Sequence, residues 1–179
     1  SADYALAPLN PPLADCSSPN DIPLRCELSL LRPSLALIMY GTNDLQRYND
    51  LDFYRANLTR IVTETIAAGV IPVLSTIPPR LDSPEMGNRV AAHNQVIVAV
   101  AQAQQIPLWN YWKALQDASM VNQGIDTDGI HPNIFTGSQG ADFSAEGLRY
   151  GYNQRNLTAL QMLAKIKQVV IDDGAPDSY

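Results

Sequence analysis

A chain of 179 residues, 46% hydrophobic and 17% charged, has the length of one compact domain and too little charge for a disordered or solvating segment. Twelve Lys and Arg against eighteen Asp and Glu leave a formal charge of −6, which removes the basic footprint expected of a nucleic-acid or anionic-lipid binder. No apolar run approaches the roughly 20 residues that cross a bilayer, and Ser1-Ala2-Asp3-Tyr4 lacks the basic-then-apolar order of a signal peptide, so the chain reads as soluble, with no membrane span and no nucleic-acid partner.

In chain order, residues 1–30 hold Pro8, Pro11, Pro12, Pro19 and Pro23 without sustained periodicity and predict an irregular N-terminal arm. Cys16 and Cys26, with nine residues between them, suit a small disulfide loop in that arm better than two free thiols. Neither a Cys-x-x-Cys spacing nor enough ligands for zinc is present. Such a bridge would imply an oxidising, extracellular or otherwise exported setting.

The regular domain is expected over residues 31–179. Leu35-Ala36-Leu37-Ile38-Met39-Tyr40, closed by Gly41, is a continuous apolar run of strand length, as in a parallel sheet buried on both faces. A helix over about 50–68 follows, with Phe53, Ala56, Leu58, Ile61, Val62 and Thr65 near the helical period and Gly69 as its stop. Val70 to Thr76 predicts a second strand and Asn88 to Gln105 a second helix. Ile106 to Tyr111 predicts a third strand, a polar loop covers about 121–143, and a last helix spans about 154–171 with Leu157, Leu160, Met162, Leu163, Ile166 and Val169 on its apolar face. This order predicts an α/β domain, doubly wound, with a mainly parallel sheet and helices on both faces.

In such folds chemistry gathers beyond the carboxyl ends of the strands. After the first strand stands Tyr40-Gly41-Thr42-Asn43-Asp44-Leu45, and in the late loop Asp126-Thr127-Asp128-Gly129-Ile130-His131-Pro132. A sharp turn at Gly41 would leave the Asn43 amide free to donate into a crevice. A carboxylate three residues before a histidine can reach back to the imidazole Nδ1 and fix its tautomer. Taken singly, the first motif also fits a turn with an Asn or Asp helix cap, and the second a surface turn with an incidental ion pair.

Together, Gly-x-Asn-Asp and Asp-x-x-His-Pro resemble the third and fifth sequence blocks of the SGNH, or GDSL, hydrolase superfamily. The resemblance runs over about residues 33–170 and takes in Ser75-Thr76-Ile77-Pro78-Pro79, the helix start from Asn88 to Asn94, and Ile106-Pro107-Leu108. It implies the flavodoxin-like architecture of those esterases, lipases and carbohydrate deacylases, and a Ser–His–Asp arrangement needing neither metal nor cofactor. By that resemblance His131 is the general base, Asp128 its orienting carboxylate and Asn43 an oxyanion donor, with Gly41, Thr42 and Asp44 in support. The implied substrate is a small-molecule or carbohydrate ester.

The family's Gly-Asp-Ser nucleophile block, which follows its first strand, occurs nowhere in the chain, nor does Gly-x-Ser-x-Gly. Asp82-Ser83 and Asp177-Ser178 stand in the wrong order, and Ser83 before Pro84 reads as a loop or helix-capping serine. The nucleophile then comes from an upstream segment or a second chain, or the domain is a degenerate, non-catalytic binder of a carbohydrate or acylated ligand, or another serine substitutes. The absence of polar alternation in Leu35 to Met39 favours the first reading, because such a strand expects neighbours on both edges.

A metal site at Asp126, Asp128 and His131 is the weaker chemical reading: the twelfth residue from Asp126 is Gly137, where a calcium loop needs a bidentate Glu. His93, amid a helix, reads as packed or solvent-facing rather than a ligand. Trp109, Tyr111 and Trp112 read as core or strand-end packing before sugar stacking, and Phe135 to Asp142 as one wall of a pocket.

Overall fold

The computed structural model describes residues 1–9, 16, 21–47, 50–137 and 140–172; Pro11, Pro12, Pro19, Ser138, Gln139 and the Asp177-Ser178 pair lie outside the described residues. Two compact units divide the chain, Ser1–Leu108 and Trp109–Tyr179.

The first unit carries the sheet. Strand β1 (Leu35–Ile38) pairs in parallel with β2 (Ile71–Ser75), Leu35 opposite Ile71 and Ile38 opposite Leu74. A third short strand, β3 (Leu108–Trp109), starts at the end of this unit and completes the order β1-β2-β3. Leu74 N–H donates to the Pro107 carbonyl at 3.2 Å. Among the described residues β1 is an edge strand, and its outer backbone groups have no partner strand. The parallel sheet with its helical crossovers is the α/β arrangement expected from the sequence.

Helix α4 (Leu51–Ala67) connects β1 to β2 after a short helical turn, α3 (Asp44–Arg47). Asp50 caps α4, its carboxylate accepting from the N–H groups of Asp52 and Phe53 at 3.0 and 2.9 Å. Tyr54, Leu58, Ile61, Val62 and Thr65 are buried along one face, so the stripe falls one step away from exposed Phe53. Helix α5 (Pro84–Ala103) leads from β2 towards β3. It begins four residues before the expected Asn88, because Ser83 Oγ accepts from Met86 N–H at 3.2 Å and Pro84 occupies the first turn.

The described residues within 1–30 depart from the irregular arm that their prolines imply. They contain α1 (Ala2–Leu6) and α2 (Pro23–Leu31). Pro23 opens α2, where the missing N–H costs nothing because the first helical donors have no partner within the helix. Cys16 and Cys26 are bridged, with their Cα atoms 5.1 Å apart, which fastens Cys16 to the buried side of α2.

The second unit comprises α6 (Tyr111–Ala114), the 3₁₀ turns at Val121–Gly124 and Gly147–Arg149, and α7 (Gly151–Ile166), which runs into a wider turn at Lys167–Asp172. Tyr111 is fully buried and donates its hydroxyl to the Gly151 carbonyl at 3.0 Å, while the Trp109 indole donates to Thr158 Oγ1 at 2.9 Å. These two aromatics are packing residues. The apolar face expected on the last helix is only partly realised: Ile166 is buried, but Leu160 and Val169 are exposed.

Candidate functional site

In the first unit the loop leaving β1 is held by side chains from three other segments. Gly41 adopts φ 141°, and a Cβ there would lie 2.6 Å from Tyr54 Oη and 2.8 Å from Ile77 Cγ2. Only glycine fits this turn. Tyr54 in α4 donates its hydroxyl to the Tyr40 carbonyl at 2.7 Å, and burial pushes that phenol well above its ordinary pKa, keeping the donor neutral. Ile77 is itself clamped: its N–H donates to Asn94 Oδ1 at 2.8 Å, and Asn94 Nδ2 donates to its carbonyl at 3.1 Å.

The motif residues within this loop differ in environment. Thr42 is half-buried and Asn43 exposed. The Asn43 carbonyl accepts from Arg47 N–H at 3.1 Å, opening α3, whereas the Asn43 side-chain amide makes no hydrogen bond to the described residues. Asp44 points inward: it is buried, and its Oδ1 accepts from Ala2 N–H at 2.8 Å while Oδ2 has no partner among the described residues.

Two residues absent from the sequence reading complete the frame of this loop. Arg80, 3% exposed, sits two residues beyond Pro78 and places Nη1 3.0 Å from the Thr42 carbonyl, with Nε and Nη2 each 2.7 Å from the Asp82 carboxylate. That pairing holds Asp82 below the usual carboxylate range. Arg89 in α5 donates to the Leu45 carbonyl at 2.9 Å. A charged residue directly after a Pro-Pro pair at a strand end was the available signal for Arg80.

In the second unit the late loop is a tight hairpin. Asp126 N–H donates to the His131 carbonyl at 2.8 Å, Ile125 bridges Pro132 in antiparallel fashion, and Gly129 turns the tip at φ 74°. Asp128 Oδ1 accepts from the N–H groups of Ile130 and His131 at 2.8 and 3.0 Å, and its Oδ2 lies 2.5 Å from His131 Nδ1. The hydrogen bond from the imidazole, followed by those from the two backbone N–H groups, lowers the Asp128 pKa to about 2. A carboxylate on Nδ1 favours the tautomer with the proton there, in which Nε2 is the ring's acceptor. The imidazole is 68% exposed.

Asn133 was also missed by the sequence reading, and it anchors this hairpin. Its Oδ1 accepts from Gly151 N–H at 2.7 Å and its Nδ2 donates to the Val121 carbonyl at 2.8 Å. Gly151 is required there, because a Cβ would fall 2.0 Å from the Gly124 oxygen. Asp126, the further carboxylate of the metal reading, accepts from Thr127 N–H at 2.7 Å. Among the described residues no group of three or more His, Cys, Asp or Glu side chains could hold a metal ion. His93 is buried in α5 with Nδ1–H donating to the Arg89 carbonyl at 3.0 Å, and burial lowers its pKa.

The structure thus brings Gly41, Thr42, Asn43 and Asp44 together in one unit and Asp128 with His131 in the other. The model of the GDSL-like lipase/acylhydrolase family matches residues 16–134, and the chain belongs to that family. Among solved structures it is similar to a GDSL-like lipase from Bacteroides thetaiotaomicron, with TM-score 0.61 and 22% identity over 79% of this chain and 67% of that one. It is similar too to a lipase/acylhydrolase from Enterococcus faecalis (TM-score 0.59, 24% identity, 81% of this chain and 67% of that one). A catalytic mutant of an acetylxylan esterase from Geobacillus stearothermophilus matches with TM-score 0.57 and 19% identity, over 76% of this chain and 62% of that one. These likenesses establish the fold, and the chain spans about two thirds of each neighbour. No curated protein sequence matches the chain significantly.

Proposed function

We propose that the protein is a serine esterase or deacylase acting on carboxylic esters, of small acyl or carbohydrate type, with its nucleophilic serine supplied from outside this segment. The observation that carries the reading is the Asp128–His131 pair, in which one carboxylate engages the ring nitrogen and two backbone N–H groups at once. His131 Nε2 accepts the serine proton as the serine oxygen attacks the ester carbonyl, and returns it to the departing alcohol. A water then hydrolyses the acyl-enzyme with the same base. Asn43, whose amide is unengaged by the described residues, donates to the tetrahedral oxyanion, an interaction of the kind worth about 3–4 kcal/mol. The family to which the chain belongs and the acetylxylan esterase among its structural neighbours support an ester substrate, including a carbohydrate one.

Two further features support an external serine and an exported protein. The unpaired edge of β1 borders a groove of about 510 Å³ between α2 and the strand, lined by Leu24, Leu28, Leu31, Leu35 and Leu37, where one further strand would pair. The Cys16–Cys26 bridge is the kind that persists in oxidising compartments.

The test is hydrolysis of p-nitrophenyl acetate and of acetylated xylo-oligosaccharides by the full-length protein, with and without chelator. Turnover insensitive to chelation and abolished in His131→Ala is expected. Binding of the oligosaccharide without turnover would establish the non-catalytic alternative, and turnover indifferent to His131→Ala would refute the assignment of the base.

A further inference from the structure

Asn43 is exposed, yet the backbone on either side of it is fixed. The peptide after it is held because the Asn43 carbonyl accepts from Arg47 N–H at 3.1 Å in the first turn of α3. The peptide before it is held by Arg80, whose Nη1 donates to the Thr42 carbonyl at 3.0 Å. Since the Thr42 C=O and the Asn43 N–H share one rigid plane, anchoring that oxygen together with the Asn43 carbonyl restricts the two backbone rotations at Asn43 that would redirect its side chain.

Arg80 is an unusual group to spend on a loop carbonyl. Its side chain is 1% exposed and its charge is answered by one carboxylate, Asp82, itself one quarter exposed. The guanidinium is planar, so two parallel bonds of 2.7 Å to Asp82 set its plane and thereby the aim of the remaining donor. A lysine could make a point contact with Asp82 or with Thr42, without that coupling. The backbone beneath is also crowded: a Cβ on Gly87 would stand 3.0 Å from the Arg80 carbonyl, so the start of α5 packs directly on this residue.

Resting on the proposed esterase function, we propose that Arg80, locked by Asp82, is the positioning residue that pre-organises Asn43 as an oxyanion donor. It touches no reacting atom. Its contribution is to hold the Thr42–Asn43 peptide so that the amide does not have to be reoriented as negative charge develops, and such preorganisation acts on turnover more than on substrate binding.

The experiment combines kinetics and amide exchange on the full-length protein. Arg80→Met is expected to lower kcat by roughly 10–100-fold with KM within about twofold, and to speed exchange of the Asn43 to Leu45 amides while the helical amides of α4 stay protected. Arg80→Lys, which keeps the charge and the fold should Arg80→Met fail to fold, should recover only part of kcat. In an Asn43→Ala background the Arg80 substitution should add less than a twofold further loss, because the donor it positions is gone. Multiplicative losses in the double variant, or loop exchange unchanged by either Arg80 variant, would overturn the inference. An Asn43→Ala protein with undiminished kcat would instead overturn the assignment of Asn43 as donor and with it the catalytic part of Arg80, while the exchange data still report whether Arg80 orders the loop.

Discussion

Asp128 does three things with one carboxylate, and each has a separate signature. Because the His131 bond is the largest cause of its low pKa, the carboxyl should titrate near 2 in the intact protein and return towards 3.8 in His131→Ala, read by carbon NMR of the labelled side chain. Its folded pKa lies below the unfolded value. The contribution to stability is therefore present above about pH 4 and is lost as pH falls through 2. Asp128→Asn keeps the turn acceptor for Ile130 and His131 but presents an amide to Nδ1, so the fold should survive while turnover falls by orders of magnitude through the wrong tautomer. Loss of fold together with activity would make Asp128 a turn residue first. At this scale the sequence was informative where spacing carries the chemistry, as in Asp-x-x-His-Pro. It was silent on Arg80 and Asn133, whose partners Thr42, Val121 and Gly151 are 38, 12 and 18 positions away and contribute backbone atoms that no residue letter encodes.

Helices and strands were legible to the extent that one face of each is buried. The stripe of α4 and the buried run of β2 follow directly from apolar periodicity, whereas α1 and α2 were obscured by prolines that mark helix ends as well as loops. Two expectations belong to these elements. Breaking the bridge by Cys16→Ser should cost about 2–3 kcal/mol, the entropy of a loop of this size in the unfolded chain, measured by urea unfolding of oxidised and variant protein. Helix α5 buries His93 against Tyr54, 4.9 Å between centroids, with its pKa lowered by burial. Around and below the ordinary value of 6.5 this site binds more proton in the unfolded chain than in the folded one, so stability should decline as pH falls through 6.5, by at most about 1.4 kcal/mol per pH unit. His93→Phe should flatten that slope. An unchanged slope would place the acid sensitivity elsewhere.

At the scale of the whole chain, β1 poses the sharpest physical question, because an apolar strand with an unpaired edge is a template for another strand. Leu37 within it and Leu31 at the end of α2 are exposed, and both line the groove that borders the strand. If a segment outside this chain pairs there and brings the nucleophile, the N–H groups of β1 that face away from β2 should exchange quickly in the 179-residue chain and become protected in the full-length protein. Ester hydrolysis should follow the same division, negligible in the chain alone and present in the longer protein, and a Leu37→Lys change should lower turnover in the longer protein by weakening the added strand. Protection of both edges of β1 in the isolated chain would mean that its own residues cover the strand. Robust turnover from the chain alone would direct the search for the nucleophile to its own serines, with Asp128, His131 and Asn43 still testable around whichever of them reacts.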